Sequence, residues 1–249
     1  MSVVAQRILL ELWHTRRSLV FWVLFPALML LLFGLIYADG EGTGDSFDDM
    51  APSILIGAAL FFSCLSGVIT VLVGERERHT LKRVLLSSLS GRDYFMGIVA
   101  AFCVIAAGQA VIVYGIAYAF GGRYHGSLLL GTVIVILSVM AYVGVGFFFG
   151  ARFAKSTEEV NGPVSAIGVP LLVLGGTFFP PDMLPSYLYK ATHLNPVFHM
   201  NEALREVSAM GAGWAAVADH LLFLAVFAAA SLLAGTRSYQ RMMAREARL

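Results

Sequence analysis

Apolar positions in this chain come in long unbroken runs, not in the short periodic patterns of a soluble domain. Six runs stand out, at residues 19–38, 51–73, 94–120, 127–150, 162–179 and 215–236. Each is near or above the roughly 18 residues that an α-helix needs to cross hydrocarbon. A backbone in lipid must satisfy its own hydrogen bonds, so runs of this kind are read as transmembrane helices. The alternating ten-residue segments of a transmembrane barrel are absent from the sequence. The pattern therefore predicts an all-α integral membrane protein with six transmembrane helices in a single transmembrane domain, 1–249, without internal repeats.

Two segments outside the runs have a helical period of their own. In residues 1–18, Val4, Ile8 and Leu12 fall four apart, with Ala5, Leu9 and Trp13 beside them and Gln6, Arg7, Glu11 and His14 elsewhere around the turn. This is an amphipathic helix suited to lie in the membrane plane. Between the fifth and sixth runs, Phe179, Pro180, Pro181 and Pro185 end a span abruptly. Asn195-Pro196 then has the form of a helix start, with asparagine as cap and proline at the first helical position. Met200, Ala203, Leu204 and Val207 give the following helix an apolar stripe, and Glu202, Arg205 and Glu206 a polar face. Short helices capping the outer leaflet are expected there.

Composition strengthens the membrane reading. Charged residues make up 13% of the chain, against about 25% in an average soluble domain. The net charge of +1 gives no reason to expect a nucleic-acid partner. Lysine and arginine set the orientation. Arg7, Arg16 and Arg17 precede the first run; Arg76, Arg78, Lys82, Arg83 and Arg92 follow the second; Arg152 and Lys155 follow the fourth; and Arg237, Arg241, Arg245 and Arg248 lie in a basic tail, residues 237–249. Only Arg123, Lys190 and Arg205 fall on the other side. Both termini are expected in the cytoplasm. The first external loop has no basic residue and carries Asp39, Glu41, Asp45, Asp48 and Asp49. No cleavable signal peptide is expected, because the first apolar run is too long for a signal core.

Few residues suggest chemistry. Cys64 and Cys103 lie inside apolar runs and read as small buried hydrophobes. His79, His193 and His199 lie apart, without metal-ligand spacing. Gln109, an amide inside a span, reads as glue between helices. Pro26, Pro163 and Pro170 interrupt spans and leave carbonyls for neighbouring helices to satisfy. No carboxylate or lysine sits mid-span to relay ions. No Gly-x-x-x-x-Gly-Lys-Ser/Thr phosphate loop is present, so the chain is not expected to be an ATPase of that type. The connection between the second and third runs is more suggestive. Its charged stretch of about 20 residues is longer than a turn requires, and Leu81, Val84, Leu85 and Leu89 can share one apolar face. Charge alone leaves a solvated loop and a docking element equally supported.

Three strings together resemble the membrane subunit, or permease, of ABC-2-type ABC transporters. They are Arg16-Arg17 before a span containing Pro26 and ending Leu31-Leu32-Phe33-Gly34; Glu75-Arg-Glu77-Arg-His-Thr80-Leu81-Lys-Arg-Val-Leu-Leu; and Gly176-Thr-Phe-Phe-Pro180 through Leu184-Pro185, Asn195-Pro196 and Glu202-Ala-Leu-Arg205. The sequence departs from the family at His79, usually glycine, and at Ser88, commonly proline. The resemblance implies an ATP-driven exporter of a hydrophobic, amphipathic or lipid-linked substrate. Glu75, Glu77, Arg78, Thr80, Leu81, Arg83 and Leu85 would belong to a coupling helix docked on a separate ATP-binding subunit. Arg7, Glu11 and Trp13 would lie on an interface helix beside it, and Phe179, Pro180, Pro185, Asn195, Pro196, Glu202 and Arg205 on external gate helices. It further implies two ATPase copies carrying ATP and magnesium, none in this chain, beneath a permease homodimer in the cell (inner) membrane. An ATP-independent channel or secondary carrier is the alternative reading.

Overall fold

The computed structural model describes residues 2–14, 16–77, 91–152 and 157–246. Among these the regular structure is entirely helical. The helices are α1 (Ser2–His14) and α2 (Arg16–Glu41), then α3 (Thr43–Glu77), wound as a π-helix over Ile54–Ser66. They continue with α4 (Gly91–Ala119), α5 (Leu128–Arg152) and α6 (Thr157–Leu174). A 3₁₀ turn (Pro181–Met183) leads to α7 (Ser186–Thr192), α8 (Pro196–Ser208) and α9 (Ala218–Glu246).

α3 is the axis of the bundle. Ile54, Leu55, Ile56, Leu60 and Cys64 on it are fully buried, and α2, α4 and α5 pack around it. The most extensive seam joins α5 to α9. It is close because both helices bring glycine to it. A Cβ at Gly144 would stand 2.6 Å from the Leu232 nitrogen, and one at Gly235 2.6 Å from the Gly144 carbonyl oxygen. Small residues at such crossings let two backbones approach, which is the main source of helix association where lipid is as apolar as leucine. The outward faces are apolar as well: Phe21, Leu24, Leu28 and Leu32 on α2, and Leu222, Val226 and Leu233 on α9, are exposed.

Pro26 shows how a break inside a span is repaired. Proline has no N–H, so the carbonyl four residues earlier, on Trp22, loses its helical donor. Gln109 Nε2 from α4 donates to that carbonyl at 3.2 Å, while Gln109 Oε1 accepts from the Ser63 hydroxyl on α3 at 3.0 Å. One buried amide thus joins three helices.

Among the described residues, five helices are long and apolar enough, by length and composition, to cross a membrane: Ser18–Ala38, Thr43–Glu77, Asp93–Ala119, Leu128–Arg152 and Ala218–Ala244. The fifth apolar run of the sequence differs. Its helix, α6, has an apolar stretch of only Val164–Leu174 among the described residues. It ends at Leu174 because Gly176 takes a φ of 74°, and Thr177 N–H and Gly176 N–H turn back to the carbonyls of Leu172 and Val173. That is a glycine C-cap of the Schellman kind. The acidic loop read at 39–50 is also far shorter than the hydropathy suggests. α2 runs to Glu41 and α3 starts at Thr43, so Gly42, at φ 92°, is the whole connection. Asp45 sits in the first turn of α3, where a negative charge suits the helix dipole. At the other end α9 continues to Glu246 and carries Arg237 and Arg241 as helical residues.

Candidate coupling junction and membrane cap

The two regions that the sequence marks lie at opposite ends of α3. At one end, α1 packs against α4 and α2, which brings Arg7 to Glu75. Glu75 is 5% exposed. One of its oxygens accepts from the Arg7 guanidinium and the other from the Tyr94 hydroxyl at the start of α4. A buried carboxylate is tolerated only with partners of this kind. Burial works against the charge on Arg7, and Glu75 outweighs it, holding the guanidinium further into its protonated range. Tyr94 stacks on Tyr239 of α9 with ring centres 5.4 Å apart, and Tyr239 stands edge-on to Phe147 of α5 at 5.7 Å. Arg7 and Glu75, 68 residues apart, are therefore one site, with Tyr94 and Tyr239 as members that the sequence did not single out. A tyrosine opening a span is the only hint of Tyr94 in the sequence, and it is a weak one, because tyrosine at that depth commonly anchors to the interface.

The remaining coupling candidates spread out from this junction. Glu77 is exposed at the last turn of α3, Glu11 is half-buried and Trp13 exposed on α1. Arg78, Thr80, Leu81, Arg83 and Leu85 lie outside the described residues.

At the other end, α7, α8 and the 3₁₀ turn form a cap. Asn195 caps α8 with its Oδ1, accepting from Val197 N–H at 3.0 Å, and its Nδ2 donates to the Leu171 carbonyl at 2.7 Å. Pro196 takes the first helical position. Pro185 stands at the N-cap of α7, one residue outside it. Asn201 Nδ2 donates to the Gly175 carbonyl at 2.7 Å and to Thr177 Oγ1 at 3.1 Å. Two asparagines of α8 thereby hold the end of α6. Arg205 bonds Glu202 at 2.5 Å and reaches Asp49 of α3 at 3.5 Å. Phe179 is exposed, with its ring edge-on to Phe33 of α2 at 6.0 Å. Asp48, next to Asp49, accepts from Arg123 N–H at 2.5 Å and lies 3.1 Å from His125 Nε2.

The histidines are less scattered than their spacing suggests. His199 Nδ1 lies 2.9 Å from His220 Nδ1, across the α8–α9 contact. His199 Nε2 lies 2.9 Å from the His193 carbonyl. A carbonyl only accepts, so Nε2 carries the proton, Nδ1 accepts, and His220 donates. Burial lowers the His199 pKa from its ordinary value, and the neighbouring His220 and His193 add to that, against the pull of the carbonyl.

A family model described as ABC-2 type transporter matches residues 1–208. The chain belongs to the ABC-2 type transporter family. The match takes in α1 to the end of α8, and so covers Arg7, Glu75, Tyr94 and the whole cap; α9, with Tyr239 and His220, lies beyond it. The chain is 27% identical over 134 residues to the probable multidrug ABC transporter permease YbhR of Escherichia coli K12, covering 53% of this chain and 36% of that one. The aligned region is thus little more than a third of YbhR. It is 21% identical over 191 residues to the inner membrane transport permease YadH of the same strain, covering 76% and 74%. It is also 21% identical over 216 residues to the putative transport permease ycf38 of Porphyra purpurea, covering 83% and 72%. The chain is a multi-pass membrane protein of this family, and its matched region carries the cap and all of the junction except Tyr239.

Proposed function

We propose that the chain is the membrane subunit of an ATP-driven exporter, powered by a separate ABC ATPase, with a hydrophobic, amphipathic or lipid-linked substrate. In this reading all six apolar runs cross the inner membrane, and both termini are cytoplasmic. Two copies of the chain pair above two ATPase subunits, which hold ATP and magnesium. The observation that carries the proposal is the Arg7–Glu75–Tyr94 junction. It fastens α1, α3 and α4 together at the root of the connecting segment, as a part that receives a push must be fastened. Glu77, Arg78, Thr80, Leu81, Arg83 and Leu85 form the docking side, Glu75 anchors it through the junction, and Arg7, Glu11 and Trp13 lie beside them. ATP binding draws the docked segments together, and only its higher affinity for the closed arrangement drives the tilt. The cap, from Phe179 to Arg205, is the gate at the far end.

The test is co-purification and transport with a partner ATPase in vesicles. Leu81→Asp and Glu77→Arg are expected to insert normally, to lose most ATP-dependent transport, and to release the ATPase. Undiminished transport by both variants, or sustained transport by the wild type without ATPase or ATP, removes the proposal; the latter outcome identifies a gradient-driven carrier.

A further inference from the structure

A cavity of about 480 Å³ opens between the cap and the ends of α2 and α3. This lies within the range of roughly 300–1,000 Å³ that holds small molecules. Its chemistry is one-sided. Three carboxylates in its wall, Asp49, Asp182 and Glu202, face one guanidinium, Arg205. Arg205 is already engaged by Glu202 and Asp49, whereas Asp182, on the 3₁₀ turn, is exposed and has no ion-pair partner among the described residues. Tyr37 and Tyr189 add aromatic rings to the same wall. The Tyr37 hydroxyl is held by the Phe178 carbonyl at 3.3 Å, which fixes the ring.

A further sign comes from Asn201, a wall residue only 4% exposed. Both bonds of its amide nitrogen point to the end of α6, and its amide oxygen has no hydrogen-bond partner. Buried polar atoms without partners are rare. The oxygen leaves the negative end of that dipole uncompensated within the cavity wall. Excess negative charge, an uncompensated oxygen and two aromatic rings around one small space form the recognition chemistry of an organic ammonium ion.

We infer that the cap cavity is a binding site for organic ammonium groups, taken either from a soluble cation or from the headgroup of an aminophospholipid. The site is separate from nucleotide coupling, and its test needs no ATPase, so its failure leaves the proposed function standing and the converse also holds.

The probe is benzyltrimethylammonium, with its neutral carbon isostere neopentylbenzene as control. Binding is measured by calorimetry on the full chain in nanodiscs, after subtracting empty nanodiscs. The cation is expected to bind and the isostere to bind at least tenfold more weakly. Asp182→Lys, at an exposed position that leaves the cap bonds intact, is expected to weaken the cation tenfold or more. Tyr189→Leu is expected to weaken it roughly two- to five-fold, the scale of one cation–π contact. Circular dichroism and size-exclusion profiles show that both variants are folded. Nanodiscs of phosphatidylglycerol and of phosphatidylethanolamine separate the two sources. Weaker probe binding in the second identifies a lipid headgroup as occupant, and equal binding identifies a soluble cation. Equal affinity for cation and isostere, or unchanged affinity in both folded variants, overturns the proposal.

Discussion

Gln109 and Pro26 form a pair that neither residue explains alone. The proline frees the Trp22 carbonyl, and the glutamine supplies the missing donor. Gln109→Leu is expected to destabilise the bundle by roughly 1–2 kcal/mol, the upper range for hydrogen bonds between membrane helices. Adding Pro26→Ala restores a backbone donor for Trp22 and should recover part of that loss. Denaturant unfolding of the four proteins, arranged as a double-mutant cycle, checks it. His199 sets a pH dependence. Its pKa is lowered in the fold, so its contribution is full above the unfolded value near 6.5 and is lost as pH falls through the lower folded value. The thermal midpoint of the wild type is expected to drop between pH 7.5 and pH 5, and His199→Gln to flatten that drop.

Among the elements, hydropathy made the long helices legible, because lipid leaves a backbone few alternatives. It could not place their ends. The end of α6 depends on a left-handed glycine and the backbone bonds around Gly176, which apolar content does not register. The α2–α3 turn was hidden for the opposite reason: acidic residues that read as a loop also suit the first turn of a helix. The π-helical winding of Ile54–Ser66 left no mark in the periodicity of a run that is apolar on every side. The small residues of the α5–α9 seam carry no sign in the sequence of which helix they meet. Gly144→Leu is expected to force that seam apart, with a loss of about 1–3 kcal/mol typical of overpacking. Gly74→Ala, where an added Cβ meets nothing within 4 Å, should change little. Thermal unfolding of the two variants makes the comparison.

For the whole molecule, the decisive contacts join residues far apart in sequence. Arg7 and Glu75 each stood out as cytoplasmic candidates, yet no local spacing pairs them. The same holds for Arg205 with Asp49 and for His199 with His220. Such pairings follow from which helices pack together, and packing is a property of the bundle. Glu75→Gln keeps the volume of the side chain and removes the charge that holds Arg7. A broken buried pair costs about 3–5 kcal/mol; the Arg7 side chain is 46% exposed, so the expected loss is nearer 1–2 kcal/mol after allowing for solvent. Under the proposed function, this variant with the ATPase should keep ATP turnover and lose most transport, measured as the ratio of substrate moved to ATP consumed. Gly42 carries the last consequence. With a single residue as the elbow between α2 and α3, and the Ser46 hydroxyl of α3 donating across the bend to the Gly34 carbonyl of α2 at 2.7 Å, the pair is braced like a crank. A swing of one arm at the membrane surface must turn the other, and the bolt at its far tip is Glu75.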